Sequence, residues 1–83
     1  MGTEITLDRL SPGKSAWIKD IQAREPIARR LTDLGFVKGG RVRCRMRSAA
    51  GDPTAYQIRG MLIALRRQDA ARITVLPAAD PWD

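Results

Sequence analysis

Between Arg29 and Gly40 the chain reads Arg-Arg-Leu-Thr-Asp-Leu-Gly-Phe-Val-Lys-Gly-Gly, a stretch that has to end a helix, turn and enter a strand within a few residues. Ile27, Leu31 and Leu34 stand at i, i+4 and i+7 on one helical stripe. Pro26 lies just ahead of them, where its missing N–H costs nothing. Gly35 falls where the backbone must turn left-handed to leave a helix, and Phe36 follows in position to pack back on the last turn, as in a Schellman cap. The spacing predicts a short, one-sided helix whose end is anchored by an aromatic ring.

The remaining segments read as strands. After Ile5-Thr6-Leu7 and the turn signal Ser11-Pro12-Gly13, the segment from Lys14 to Gln22 puts Ala16 and Ile18 on one face and Trp17 and Lys19 on the other. Ile21 breaks that parity, and a bulge near Lys19-Asp20 would restore it while bending the strand. From Arg41 to Arg47 the alternation is unbroken, predicting Val42, Cys44 and Met46 inward and four arginines outward. Ser48 to Pro53 reads as a loop, with Gly51-Asp52-Pro53 as turn chemistry, followed by a strand carrying Thr54, Tyr56 and Ile58 on one side. Gly60-Met61 is expected to turn the chain into Leu62–Arg66, with Ile63 and Leu65 buried, and Ile73 and Val75 mark a last strand. The segment Arg67 to Ala71 is too short for much helix. The fold class is therefore mainly β: a small, strongly bent barrel of about five strands with a short helical insert.

No linker, repeat or low-complexity tract divides the sequence, so one domain is expected over residues 1–83, its core at about 5–76 and loose ends at 1–4 and 77–83. With one cysteine, Cys44, and no histidine, the chain has no internal disulfide and no zinc or soft-metal ligand set. A reducing cytoplasm fits. The apolar run from Met61 to Leu65 is far short of the roughly 20 residues that span a bilayer, and nothing near Met1 reads as an export signal. Without histidine no Ser/His or Cys/His pair exists, and no glycine-rich phosphate loop appears, so no catalytic residue, cofactor or metal site is expected and an enzyme is disfavoured. The net charge of +6 points instead to an anionic partner, and residues 38 to 47 hold Lys38, Arg41, Arg43, Arg45 and Arg47 with no acid among them.

Several segments in fixed order carry a family likeness: Leu10-Ser11-Pro12-Gly13, Ala16-Trp17-Ile18 with Ile21, Arg30 to Gly39, Gly51-Asp52-Pro53, Ile58-Arg59-Gly60, Ile63 to Arg66, and Ile73-Thr74-Val75. Together they resemble FeoA, the small cytosolic protein of bacterial ferrous iron uptake, from about Leu7 to Val75. The resemblance implies an SH3-like β barrel, no catalysis, and a companion role to FeoB, the membrane transporter that carries a cytosolic GTP-binding domain. Gly35, Phe36, Gly39, Gly51, Asp52, Pro53 and Gly60 are the positions of structural motif. Lys38 stands where the family often has proline, and Ala49-Ala50 precede Gly51 where a proline is frequent. The SH3-like domains of iron- and manganese-dependent repressors are related in fold, but they follow a helix-turn-helix region. This chain starts at Met1 without one, and a stand-alone protein is expected.

Each candidate contact residue has a plain structural reading beside the functional one. The alternating arginines, Arg43 and Arg45 among them, could dock an acidic patch or simply be a solvated strand face. Arg29 and Arg30 favour the helix dipole whether or not they meet a partner. Asp33 is expected to pair with one of them or to staple the turn. Trp17 points away from the core side, as interface anchors do, unless a terminal segment covers it. Met61, Leu62 and Ala64 make the outward side of the hairpin apolar where an isolated barrel would be polar. Cys44 reads as a buried small residue. The scattered carboxylates Asp8, Asp20, Asp52, Asp69 and Glu25 give hard-metal binding little support.

The expected function is thus an accessory role in iron uptake, with Trp17, Met61 and Leu62 as anchors on a FeoB-like transporter and Arg29, Arg30, Arg43 and Arg45 as peripheral charges. Contact with the membrane would be only indirect, through the transporter, and self-association is left open. Two rivals stand beside it. A small basic barrel can bind nucleic acid, although base stacking wants aromatics interleaved with the charge and only Trp17 offers a platform. A regulatory domain acting in trans on a metal-dependent repressor is the other.

Overall fold

A computed structural model describes residues 3–78. The elements run β1 (Ile5–Thr6), a 3-10 turn at Leu7–Arg9, β2 (Ser15–Ile21), α1 (Ile27–Leu34), β3 (Arg41–Arg47), β4 (Thr54–Ile58), β5 (Met61–Leu65), α2 (Arg67–Ala70) and β6 (Ile73–Ala78). The strands form one antiparallel sheet in the order β1-β6-β2-β3-β4-β5. Its six strands exceed the expected five because β1 is a two-residue piece held against Val75 and Thr74. The sheet bends around Leu7, Ile18, Leu31, Phe36, Val42, Tyr56, Ile58, Ile73 and Val75, all within 2% of full burial. Pro77 and Ala78, expected in a loose end, belong to β6 and pair with Ala16 and Ser15. Residues 1–2 and 79–83 lie outside the described residues.

α1 ends as its sequence requires. Gly35 has φ 114° and ψ 0°, its N–H donating to Leu31 and Thr32 carbonyls, while the Phe36 N–H reaches back to Leu31 O at 3.0 Å. The Phe36 ring is fully buried. Beyond it the Gly39-Gly40 turn docks on β2: Gly39 N–H donates to Ile18 O and Ile18 N–H to Gly40 O, each at 2.8 Å. Asp33 is exposed and joins neither arginine, since Arg29 faces Glu25 at 3.5 Å and Arg30 meets Asp69 at 2.7 Å.

Two strands change register. In β2 the shift falls between Ile18 and Asp20, and it returns Ile21 to the core side opposite Ile73, as the broken parity predicts. In β3 a second shift falls between Cys44 and Met46, where the alternation gives no hint of one. The expectation that Met46 is buried is therefore wrong: its side chain is 62% exposed. Arg47, expected outward, turns instead toward the 3-10 segment, with Nη2 donating to Leu10 O at 3.0 Å and Nη1 reaching Asp8 O at 3.4 Å and Thr54 Oγ1 at 3.5 Å. A guanidinium can satisfy several acceptors at once, which is what a short turn with idle carbonyls needs.

The β4–β5 hairpin turns at Arg59-Gly60, one residue earlier than expected. Both have positive φ, 52° and 79°, as a type I′ two-residue turn demands, and Met61 is already in strand opposite Ile58. The single turn of α2 is held from outside: Asp52 Oδ1 accepts the Arg67 N–H at 2.9 Å, so Gly51-Asp52-Pro53 is more than a loop bend. Gly51 N–H closes that loop on Ser48 O at 2.8 Å.

Candidate protein-docking surface

Strand register decides which outward residues are neighbours. Arg43 of β3, Gln57 of β4 and Leu62 of β5 form one row across the outer face, which meets the buried Ser15 on β2. Met46, Ala55 and Ala64 form the next row, made possible by the bulge that moves Met46 outward. On the other side lies the pair Trp17 and Arg41, with the Arg41 guanidinium 5.5 Å from the indole centroid. At that distance the guanidinium is within cation–π range of the ring.

Among the described residues the exposed large apolar side chains are Trp17, Met46, Met61 and Leu62, at 40, 62, 51 and 60% of their full area. Trp17, Met46 and Leu62 share the outer face, together with the smaller Ala55 and Ala64. Met61 does not: its strand parity is that of Ile63 and Leu65, so grouping it with Leu62 and Ala64 on one side is corrected. It sits beside the hairpin tip, where Arg59 and Gly60 border a cleft of about 390 Å³ shared with Trp17, Gly39, Gly40 and Arg41. Trp17 and the start of β5 are thus joined by way of the Gly39-Gly40 and Arg59-Gly60 turns.

The charges divide. Arg45, at the bulge, is exposed, and Arg43 is half-buried in the middle of its row. Arg29 and Arg30 have partners on this chain, and Arg30 fastens α1 to α2 through a carboxylate that is only 12% exposed. Exposed pairs such as Arg29–Glu25 typically contribute under about 1 kcal/mol. Sequence reasoning missed Met46 because perfect alternation signalled nothing unusual. The outward alanines at 55 and 64 were its only trace.

Behind this face two titratable side chains, Cys44 and Tyr56, are buried. Burial pushes the Cys44 thiol above its ordinary range, with Arg47 pulling weakly the other way. Tyr56 is pushed up to about 12, chiefly by burial and then by Cys44, against the influence of Arg47 and Thr54. Its hydroxyl donates to Leu7 O at 3.3 Å. A cleft of about 650 Å³ is lined by Asp8, Asp52, Arg66, Arg67, Gln68 and Ala71. Among the described residues no three carboxylate or thiol groups converge as a metal site would need, and no helix is long and apolar enough to cross a membrane.

Six antiparallel strands bent round one core, with two short helices and apolar side chains exposed among arginines on the outer face, define a small SH3-like β domain. The family model described as FeoA domain matches residues 5–77, and the chain belongs to the FeoA family, which is associated with ferrous iron transport. A relative in Porphyromonas gingivalis, an Fe(2+) transport protein A/Fe(2+) transporter FeoB fusion protein, is 33% identical over 69 residues, 83% of this chain. The chain spans only 8% of that fusion protein's length. The solution structure of the FeoA protein from Chlorobium tepidum is 35% identical, with a TM-score of 0.84 over 90% of this chain and 71% of that one. Stenotrophomonas maltophilia FeoA complexed with zinc, described as a procaryotic SH3 domain protein, is 39% identical, with a TM-score of 0.76 over 86% of this chain and 88% of that one.

Proposed function

We propose that this protein is a non-catalytic module that binds the cytosolic part of a FeoB-like transporter and supports ferrous iron uptake by assembling or stabilising it. The observation that carries the reading is the outer face itself, where Trp17, Met46 and Leu62 stand exposed beside Arg41, Arg43 and Arg45. Large apolar residues left in water on a domain this small mark a contact surface. The Porphyromonas gingivalis relative supports the choice of partner, since there an Fe(2+) transport protein A segment and a FeoB transporter are one polypeptide. A place in the cytoplasm follows from that partner.

Trp17, Met46 and Leu62, with Met61 at the hairpin mouth, act as anchors, and Arg43 and Arg45 as peripheral charges. Arg29 and Arg30 contribute less, because each already has an acidic neighbour on its own chain. The test is a titration of the full chain with the purified cytosolic region of the transporter and with the whole transporter. Binding is expected at low salt, and Trp17→Ala should weaken it at least about tenfold, as anchor residues do. Arg43→Ala and Arg45→Ala should weaken it less, and their effects should fade as salt shortens the screening length below about 8 Å. Absence of binding at low salt overturns the reading.

A further inference from the structure

The two edges of the sheet are unlike. β1 is two residues long, and brevity alone makes it a poor template. β5 is Met-Leu-Ile-Ala-Leu, with no charge, proline or bulge, the devices by which edges are usually blunted. Its turn fixes which backbone groups are idle. A two-residue I′ hairpin makes Ile58 and Met61 a hydrogen-bonded pair. Alternation then makes Tyr56 and Ile63 another, and leaves the N–H and C=O of Leu62 and Ala64 pointing away from β4. Among the described residues no other strand pairs with β5, and no backbone hydrogen bond outside the strand ladders reaches Leu62 or Ala64. The side chains of the same two residues end the outer rows Arg43–Gln57–Leu62 and Met46–Ala55–Ala64, so an added strand would meet an apolar side chain at the end of each row.

Charge says what kind of strand fits. Arg59 stands at one end of β5, and Arg66 and Arg67 at the other; all three are exposed and none is ion-paired among the described residues. A second copy adding its own β5 would bring these arginines together in either strand direction, in a chain already at +6. We infer that β5 is a strand-acceptor edge for an extended segment of a partner protein, apolar at two alternate central positions and acidic at both ends. The inference deepens the transporter reading and rests on it for the partner's identity. It does not rest on it for the chemistry. Backbone hydrogen bonds supply the attraction, the facing side chains the register, and the arginines the selection of acidic flanks.

The test uses the full chain and a synthetic peptide of about nine residues, with valine at two alternate central positions and paired acids at each end, beside a control with lysines at its ends. Amide exchange at Leu62 and Ala64 should slow on adding the acidic peptide and not the basic one. Ala64→Pro removes an outward donor while leaving the β4 ladder intact, and should weaken peptide and transporter binding at least about tenfold. Leu62→Lys, which leaves the backbone alone, should do the same if the proline variant folds poorly. Unprotected amides, equal binding of the two peptides, or protection that rises with protein concentration alone would overturn the inference. If Ala64→Pro and Leu62→Lys leave transporter binding untouched while Trp17→Ala abolishes it, the edge falls and the transporter reading stands. If the peptide protects both amides and the transporter does not bind, the edge stands and that reading falls.

Discussion

Strand β2 slips register between Ile18 and Asp20, strand β3 between Cys44 and Met46, and the two slips dispose of their side chains in opposite ways. In β2 the extra residue is taken up in water: Lys19 is exposed, Asp20 Oδ1 accepts the Ile21 N–H at 2.9 Å, and Ile21 returns to the core side. In β3 the extra residue, Arg45, removes an apolar side chain from the core side and sends a cationic one toward it. The first bulge repairs a hydrophobic pattern. The second overrides one, and what it gains is polar: Arg47 reaches the carbonyls of the Leu7–Leu10 turn. Hydrophobic periodicity reports only the first kind.

The contrast can be broken at Arg47, where the largest effect is expected. If the β3 bulge exists to bring a guanidinium to the turn, Arg47→Met should cost about 3 kcal/mol, from one good charged hydrogen bond, two longer ones and the carbonyls left behind. Arg47→Lys should recover only part, since an ammonium lacks the planar fork. Denaturant unfolding measures both. A loss under about 0.5 kcal/mol, the scale of an ordinary surface substitution, would mean that the arginine is merely passing by.

Tyr56 holds the same turn from β4, and pH reads its share. Its folded pKa, pushed up to about 12, exceeds the ordinary value of 10.0, so the folded state keeps the proton longer than the unfolded one. The stabilisation is therefore complete below pH 10 and is lost as pH rises through about 12. That difference corresponds to about 2 to 3 kcal/mol. Cys44, also raised by burial, adds a loss of the same sign in alkali, so the measurement is the difference between wild type and Tyr56→Phe. The wild type should fall more steeply than the variant between pH 10 and 12. Parallel curves would remove Tyr56 as the cause.

On the β2 side, Ile21 is only half-buried, so Ile21→Ala should cost about 1 to 2 kcal/mol, below the range for a fully buried isoleucine. Its size separates a bulge made for packing from one made for bending alone, which would leave stability nearly unchanged.

These differences explain what could be read in advance. Gly35 and Phe36 were legible because a helix stop is a local problem with few solutions, and the Ile21 bulge because the parity break was itself apolar. The hairpin was legible, but its tip fell at Arg59-Gly60 because an arginine at positive φ carries no signature. The hold of Asp52 on α2 and of Arg30 on Asp69 join residues far apart in sequence, which no local pattern encodes. For the docking face, Trp17 and Leu62 showed themselves as large apolar residues on outward positions. Met46 did not, because its position was outward only after a bulge that the sequence concealed.

Met46 is also where the smallest effect is the most informative. An unbulged β3 would bury its side chain beside Val42 and Cys44, and replacing it with lysine would then place a charge in the core at a cost of several kcal/mol. In the bulged strand the side chain stands 62% exposed in a row with Ala55 and Ala64, so Met46→Lys should shift stability by no more than about 0.5 kcal/mol. The same substitution puts a solvated charge on the outer face, so the stable variant should bind the transporter's cytosolic region more weakly than wild type. Lost stability would return Met46 to the core and abolish the distinction between the two bulges. Unchanged stability with unchanged binding would keep the bulge and take Met46 off the docking face.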